Sequence, residues 1–373
     1  MKTKSQIKPE RVIVFFIDGL HWKAPYNLKM PHFNSLVQQG VYIPKSYMII
    51  PHHPTVGEYG QLHTTSFPNP VLQEGTLFIR PGNKMLQNMF GSEEMTCFIA
   101  NSTAYNSVRK GFNLNVHDPS LSDQEVVDQS IGLLHDFDLR YSRIHLQTSG
   151  NEGRYLSYTT KDKPYYRNIW GKGSPYVKSV EQADELLGRL IDYLKKSGKW
   201  GSTLLIVTSD HGQSEKGWHP IIEEDSYTTP LVFCGPSIAK NKQLDYFEHT
   251  DLSATIAALM GVKKPNNDGG SGNFIKAVQD GAPVSRSKPL TYIKIINKQL
   301  NEYNSLRAKM MIAAEKDSYF SSLISFLENE LLTPEPFYHQ DRFLEWYKAK
   351  TTDNLIRVND NILKQMHKEL FNI

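Results

Sequence analysis

The stretch VIVFFIDGL, residues 12–20, decides how the rest of the sequence is interpreted. It is a continuous apolar run that ends directly in Asp18 and Gly19. Such runs are typical of strands buried on both faces of a parallel sheet. Because ligands of open α/β sheets bind beyond the carboxyl ends of the strands, Asp18 is well placed to hold a metal. A turn-capping aspartate is the simpler interpretation, and for this stretch alone we favour it.

Three more apolar runs have the same character: RIHLQ (143–147), TLLIVT (203–208) and PLVFCG (230–235). Amphipathic segments separate them, and the clearest begins at Ser174-Pro175, an N-cap followed by proline, and stops near Gly198. Its apolar face carries Val177, Val180, Ala183, Leu187, Leu190, Ile191 and Leu194. Strands that alternate with helices predict an α/β fold, a mostly parallel sheet sandwiched by helices.

The character of the sequence changes after the loop-like segment NNDGGSG, residues 266–272. From Leu290 onward the pattern is almost wholly helical, interrupted by serines and by Pro334-Glu335-Pro336. We therefore predict an α/β domain over residues 1–275 and a helical C-terminal extension over residues 276–373. The extension would pack on the first domain or on a second copy of the chain, as in a homodimer.

Composition excludes several classes of protein. Among 373 residues, 39% are hydrophobic and 22% charged, and the net charge is +3, too even for a nucleic-acid or membrane-surface partner. Cys97 and Cys234 lie in short apolar runs, which indicates buried strand thiols and not a disulfide or a zinc site. No stretch approaches the roughly 18 apolar residues that span a bilayer, and no signal-peptide core is recognised. We therefore expect a cytoplasmic protein.

A second polar signal, Ser209-Asp210-His211-Gly212, follows the run TLLIVT. The adjacent Asp210 and His211 offer one carboxylate oxygen and one imidazole nitrogen on the same side of a loop, a pair that suits Zn²⁺ or Mn²⁺. The alternative is a turn aspartate beside a hydrogen-bonded histidine. SDHG after so apolar a strand is much rarer than a lone Asp or His, so here we favour the metal.

Two further segments complete the pattern. PHHPTVGEYGQLHTTSFPNP, residues 51–70, is too rich in His, Thr and Pro for a plain core element, and EHTDLSATIAALMGV, residues 248–262, predicts an amphipathic helix. In this order the four segments resemble the alkaline phosphatase superfamily, with its sulfatase-like hydrolase fold and especially its phosphodiesterase and nucleotide pyrophosphatase branch. The resemblance covers roughly residues 10–275 and depends on the order and spacing of the motifs.

The resemblance assigns roles to individual residues. Members open with a strand that ends in Asp-Gly, followed by a helix with Pro and a closing Gly, as in MPHFNSLVQQGV, residues 30–41. The next loop carries the Thr or Ser nucleophile, and Thr55 stands at that position. The resemblance implies that Asp18, Thr55, Asp210 and His211 are the ligands of one divalent ion, Zn or Mn.

The implied chemistry is consistent with these residue types. A threonine hydroxyl is a poor nucleophile at neutral pH, and direct coordination to a divalent cation stabilises its alkoxide. The resemblance therefore implies that Thr55 attacks a small-molecule phosphorus ester, a phosphate mono- or diester or a phosphonate. A covalent phospho-threonine would form and then be released to water or another acceptor.

The second ion of two-metal members is in question. Those members carry an Asp-x-x-x-His pair in the loop before the long helix, and the corresponding segment HLQTSGNEGRY, residues 145–155, lacks it. Gln147 or Thr148 stands near the expected Asp, and Asn151 or Glu152 near the expected His. His219, eight residues after His211, matches the spacing of a ligand in the mutase branch. We keep His219 and Glu152 as candidates for a second metal or for substrate.

Three residues near Thr55 are candidates for the substrate pocket: Glu58, Tyr59 and His63. Phosphodiesterase members often have an asparagine where Glu58 stands. Ionised glutamate only accepts hydrogen bonds, so it would contact a cationic or hydroxylated part of the substrate or point to solvent.

Other activities of the same fold are weighed as alternatives. Sulfatases need Cys or Ser in a Cys/Ser-x-Pro-x-Arg setting, which Thr55-Val-Gly-Glu-Tyr does not provide. A phosphoryl transferase or mutase is kept as an alternative, because the sequence does not show which molecule accepts the phosphoryl group. A catalytically degenerate binding protein is the alternative from another class.

Overall fold

The structure is a computed structural model that describes residues 8–48, 62–65, 83–106, 108–220, 223–266, 274–283, 292–328 and 352–371. The chain divides into two compact units, one that ends at Ser285 and one that begins at Arg286. Residues 274–283 belong to the first unit, where Ile275 and Val278 are buried in its core.

Among its described residues, the first unit is built on a nine-stranded sheet. Its strands are β1 (Arg11–Ile17), β2 (Val41–Tyr47), β3 (Met95–Ala100), β4 (Leu114–His117), β5 (Leu139–Leu146), β6 (Thr203–Thr208), β7 (Thr228–Cys234), β8 (Lys242–Gln243) and β9 (Phe247–Glu248). The order is β4-β3-β5-β1-β6-β7-β2-β8, and β9 pairs with β2. From β4 to β6 all neighbours are parallel, whereas β7 runs antiparallel to β6 and to β2. The predicted mostly parallel sheet is confirmed.

The central strand β1 is buried on both faces, as its apolar sequence predicts. Val12, Val14 and Phe16 join the core on one side of the sheet. Ile13, Phe15 and Ile17 join the core on the other side. Because successive side chains of a strand point to opposite faces, helices must cover both sides of this sheet. Cys97 in β3 and Cys234 in β7 are buried free thiols, as expected.

The described α-helices of the first unit are α1 (Ala24–Asn27), α2 (Pro31–Gln39), α3 (Asp123–Asp136), α4 (Thr148–Tyr158), α5 (Pro175–Lys196) and α6 (Leu252–Met260). Helix α5 begins as predicted, since the Ser174 hydroxyl accepts the Val177 N–H. It buries the predicted face except for Val177, which is half-buried. Helix α6 ends at Gly261, which takes the left-handed conformation with φ 74°.

The interpretation of residues 145–155 as a loop is wrong. Strand β5 continues to Leu146, and helix α4 begins at Thr148. Two glycines hide the helical pattern, because glycine is a poor helix former. Gly150 and Gly153 are nevertheless required there, since a Cβ atom on either would collide with the side chain of Asp18 or Gln213.

The second unit is helical. Its described helices are α7 (Tyr292–Ala314), α8 (Tyr319–Glu328) and α9 (Thr352–Phe371). They share an apolar core that includes Leu306, Met310, Phe320, Leu323, Ile362 and Met366. The predicted helical segment DRFLEWYKAK, residues 341–350, lies outside the described residues. In the part of the chain that the structure describes, no helix combines the length and apolarity needed to cross a membrane.

We predict that Leu187→Ala in α5 lowers the free energy of unfolding by about 2–5 kcal/mol. Leu187 is completely buried against the sheet, and its truncation leaves a cavity that the rigid core cannot fill. Urea denaturation measures the loss. Glu185→Ala, at an exposed position of the same helix, is the control and should change stability by about 0.5 kcal/mol or less. Equal losses in both variants would contradict the packing of α5 on the sheet.

Candidate functional site

The candidate site lies where the carboxyl ends of β5, β1 and β6 meet. The register pairs Phe16 of β1 with His145 of β5 on one side and with Thr208 of β6 on the other. Asp18 follows β1 directly, and Asp210 comes two residues after the end of β6. Parallel neighbours end at the same edge of a sheet, so both aspartates and His145 converge there.

Tyr105 joins the two aspartates. Its hydroxyl oxygen lies 2.8 Å from Oδ2 of Asp18 and 2.9 Å from Oδ2 of Asp210, and all three side chains are buried. A phenol has one proton and donates to one carboxylate at a time. Burial raises the pKa of Asp18, against the opposing effects of the His211 charge and of hydrogen bonds. Two carboxylates converging in a dry position need a proton or a cation between them.

His211 faces both carboxylates. Its Nε2 lies 3.3 Å from Oδ2 of Asp210 and 3.8 Å from Oδ1 of Asp18. Ligands about 2.0–2.1 Å from a tetrahedral zinc ion stand about 3.3 Å apart, so these separations suit an ion. Burial alone would lower the pKa of His211, but the charges of Asp210 and Asp18 raise it above its ordinary value. The proton on Nε2 thus takes the place that a metal would occupy.

His145 offers a further nitrogen at the same position. Single ligand atoms of Asp18, His145 and Asp210 lie within 4.8 Å of one another. His145 Nε2 is 3.1 Å from Oδ2 of Asp18, and Nε2 of Gln147 donates to the same oxygen at 2.9 Å. The residues that could hold a metal are therefore the two aspartates with either histidine.

Two glycines allow this close packing. Gly19 has φ +61°, in the left-handed region, and its N–H donates to Oδ1 of Asp210 at 3.2 Å. Gly150 in α4 lets the helix lie against the Asp18 carboxylate, where any Cβ atom would collide with Oδ1. These contacts orient both carboxylates from the backbone side.

A second acidic group, His21 with Glu215 and Asp225, also has ligand atoms within 4.8 Å of one another. Here the Lys23 N–H donates to Nδ1 of His21 at 2.9 Å, so the proton of neutral His21 is on Nε2, which lies 3.4 Å from Asp225 Oδ2. Trp22 Nε1 donates to Asp225 and Lys23 Nζ to Glu215, each at 2.7 Å. The Lys23–Glu215 ion pair and the Trp22–Asp225 hydrogen bond hold the two carboxylates, whereas the buried Nε2 of His21 makes no hydrogen bond among the described residues.

The predicted site residues fall into three sets. Asp18, Asp210 and His211 are brought together. His219 lies beside them, its ring centroid 4.1 Å from that of His211, and it is buried under Trp218 at 4.0 Å.

The remaining predicted residues stand apart or outside the description. His63 is buried and contacts Arg143 through both ring nitrogens. Burial and the Arg143 charge lower the pKa of His63 well below its ordinary value. Glu152 is half-buried on α4, where burial raises its pKa, and it joins none of the acidic groups found among the described residues. Thr55, Glu58 and Tyr59 lie outside the described residues.

Four residues of the site were not recognised from the sequence: Tyr105, His145 and Gln147, which contact the aspartates, and Arg143, which contacts His145. A usable signal existed for two of them. RIHLQ was predicted as a strand, so His145 and Gln147 at its end stand at the same edge as Asp18. Tyr105 gave no local signal, because its role depends on β3 being the neighbour of β5.

Comparisons with known proteins identify the family of this chain. The family model described as Sulfatase matches residues 30–262, more than half of the chain. The human ectonucleotide pyrophosphatase/phosphodiesterase family member 5 is 24% identical over 248 residues, which cover 61% of this chain and 50% of that protein. The choline-sulfatase of Rhizobium meliloti (strain 1021) is 34% identical over 110 residues, 27% of this chain and 22% of that protein. The chain thus spans half or less of the length of these relatives.

Solved structures show the same fold. The phosphonate monoester hydrolase from Silicibacter pomeroyi superposes with a TM-score of 0.57 at 14% identity, over 75% of this chain and 78% of that one. The fold and the family model together define an α/β protein of the alkaline phosphatase superfamily. Within that superfamily the chain belongs to the sulfatase family.

We predict that excess Mn²⁺ or Zn²⁺ raises the melting temperature of the protein and that Asp210→Asn abolishes the rise. An ion that binds only the folded state stabilises it by about 2.7 kcal/mol at 100 times its Kd, worth several degrees for a chain of this size. Differential scanning fluorimetry, with and without EDTA, measures the shift. The matched control is Asp225→Asn in the second acidic group, which should keep the full shift. A shift lost in Asp225→Asn and kept in Asp210→Asn would reject this site.

Proposed function

We propose that this protein is a metal-dependent hydrolase that cleaves a phosphate mono- or diester or a phosphonate through a covalent intermediate on Thr55. The proposed ligands of one Zn or Mn ion are Asp18, Thr55, Asp210 and His211. The observation that carries the proposal is the convergence of the two buried aspartates with Nε2 of His211 at the carboxyl edge of the sheet.

The described residues fit a divalent cation. Two carboxylates and an imidazole nitrogen are the donor set that Zn²⁺ and Mn²⁺ prefer, and the burial of all three removes competing water. When bound, such an ion supplies Lewis acidity that favours ionisation of a hydroxyl and draws charge from a phosphoryl oxygen.

The chain's own residues hold the carboxylates for this task. The Gly19 N–H holds Oδ1 of Asp210, which leaves Oδ2 turned toward Tyr105 and His211. The Gly212 carbonyl accepts from Nδ1 of His211 at 2.8 Å, so the lone pair of the neutral ring is on Nε2. Thr55 would attack phosphorus in line with the leaving group, which departs as an alcohol, and water would then release the phosphoryl group from Thr55.

Phosphorus esters are proposed over sulfate esters because of the nucleophile. The comparisons include proteins named for phosphodiester, phosphonate and sulfate ester cleavage, so the family alone does not choose among them. A threonine at position 55 cannot be converted to the aldehyde that sulfatases make from Cys or Ser, and it can carry a phosphoryl group.

We expect turnover on p-nitrophenyl phosphate, bis-p-nitrophenyl phosphate or p-nitrophenyl phenylphosphonate to exceed that on p-nitrophenyl sulfate by about 100-fold or more in kcat/KM. A threonine nucleophile matched to phosphorus would lose about 2.7 kcal/mol or more of transition-state stabilisation on sulfate. Release of p-nitrophenol, with and without Mn²⁺ or Zn²⁺, measures turnover on all four substrates. Preference for the sulfate would establish a sulfatase-like hydrolase in place of the proposed activity.

Thr55→Ala should lower kcat by about 10³-fold or more, while Thr55→Ser should stay within about tenfold, because only a hydroxyl can form the covalent intermediate. Mass spectrometry of acid-quenched enzyme should find the phosphoryl adduct on Thr55.

Transfer of that group to an added alcohol in preference to water would make the protein a transferase. Full activity in Thr55→Ala would refute the nucleophile, and bound metal without turnover on any ester would favour a binding protein.

A further inference from the structure

Arg143 is a permanent positive charge in the middle of β5, and it is completely buried. Its guanidinium carbon lies 4.3, 4.6 and 5.1 Å from the ring centroids of Phe16, Phe98 and Tyr105. Aromatic faces stabilise a desolvated cation in such a position. The guanidinium is therefore packed among three aromatic rings, two residues before His145 on the same strand.

This cation decides which nitrogen of His145 carries the proton. Nη2 of Arg143 lies 3.3 Å from Nδ1 of His145. A guanidinium donates hydrogen bonds and accepts none, so Nδ1 must be the acceptor. A ring whose Nδ1 accepts a hydrogen bond carries no proton on that nitrogen, so His145 is in its neutral form. The single proton of this neutral ring must then be on Nε2.

The proton on Nε2 turns His145 into a donor toward Asp18. Oδ2 of Asp18 is surrounded by His145 Nε2 at 3.1 Å, Gln147 Nε2 at 2.9 Å and the Tyr105 hydroxyl at 2.8 Å. His145 and Gln147 alone occupy the two lone-pair sites of this oxygen, which leaves none for an ion. Oδ1 of Asp18, in contrast, faces Nε2 of His211 at 3.8 Å.

The two histidines near Asp18 thus have opposite tautomers. In its neutral form His211 keeps the Nδ1 proton, which it donates to the Gly212 carbonyl, and presents an Nε2 lone pair, whereas neutral His145 accepts at Nδ1 and presents an Nε2 proton. Only the first is suited to a metal. Distance alone does not separate them, because His145 lies as close to the aspartates as His211 does.

We propose that Arg143 and His145 are positioning residues: Arg143 holds His145 as a hydrogen-bond donor to Asp18, so that His145 is not a ligand and the centre binds a single divalent ion. The proposal rests on the proposed function only in assuming that an ion binds at Asp18, Asp210 and His211. It also gives a role to residues 145–155, the segment in which two-metal members carry an Asp and a His that this chain lacks. In this chain, that segment meets Asp18 with the amide N–H of Gln147.

The same substitution at both histidines tests the proposal. Glutamine places an N–H where Nε2–H of His145 stands, so His145→Gln should change the affinity for Mn²⁺ or Zn²⁺ by no more than about threefold. His211→Gln should weaken it by about 100-fold or more, because an amide is a poor ligand for these ions. Isothermal titration calorimetry with the metal alone, on the full chain, should find one equivalent in the wild type. Two equivalents, or equal weakening in both variants, would overturn the proposal.

A direct measurement of the tautomers does not depend on any variant folding. Long-range ¹H–¹⁵N NMR spectra of the metal-free wild type should show a protonated Nε2 and an unprotonated Nδ1 for His145. Arg143→Lys should keep this pattern, because an ammonium also only donates. In Arg143→Met the Nδ1–H tautomer of His145 should appear, because no guanidinium then donates a hydrogen bond to Nδ1. A protonated Nδ1 of His145 in the wild type would refute the proposal.

Metal binding and turnover separate this inference from the proposed function. If the protein binds one ion, His145→Gln keeps the metal affinity and no phosphorus ester is turned over, the inference about His145 is supported and the proposed hydrolase activity is rejected. If the protein turns over a phosphorus ester but His145→Gln weakens metal binding as much as His211→Gln does, the hydrolase activity is supported and the inference about His145 is rejected. A protein that binds neither ion would refute both.

Discussion

The structure of the site depends on one electrostatic constraint: Asp18 and Asp210 approach the same phenol hydroxyl in a position that water does not reach. Two carboxylates held this closely cannot both stay charged without compensation. The compensation comes from the backbone N–H of Gly19 and from the side chains of Tyr105, His145 and Gln147. A positive charge between the two carboxylates and His211 would add to it. Because the buried carboxylates are costly without a compensating positive charge, these residues could hold a divalent cation.

The sheet produces this constraint by its strand order. β5, β1 and β6 are adjacent and parallel, so the residues that follow them share one edge. Both faces of β1 are packed, which prevents the strand from moving to relieve the repulsion. Gly19 and Gly150 remove the side chains that would otherwise keep the loop and the helix away from the carboxylates.

Membership of the sulfatase family is compatible with the proposed chemistry of phosphorus. Phosphate and sulfate esters are both tetrahedral oxyanion centres, so one acidic metal site can serve either, and the choice falls to the nucleophile. That division explains why relatives named for phosphodiester, phosphonate and sulfate ester cleavage share one fold. Under the proposed function, the choice between ester classes would depend on Thr55 and its neighbours, and the binding of the ion on the residues at the edge of the sheet.

The sequence by itself determined the elements whose signals are local. The runs VIVFFI and TLLIVT predicted β1 and β6, Ser174-Pro175 predicted the start of α5, and SDHG marked Asp210 and His211, because burial periodicity, capping and turn chemistry act within a few residues. Only the tertiary structure revealed helix α4, where glycines required by Asp18 mask the helical pattern. It alone also placed Tyr105 between the aspartates and Arg143 behind His145. These roles arise from strand order and from the partner that each ring nitrogen meets, neither of which is encoded by spacing along the chain.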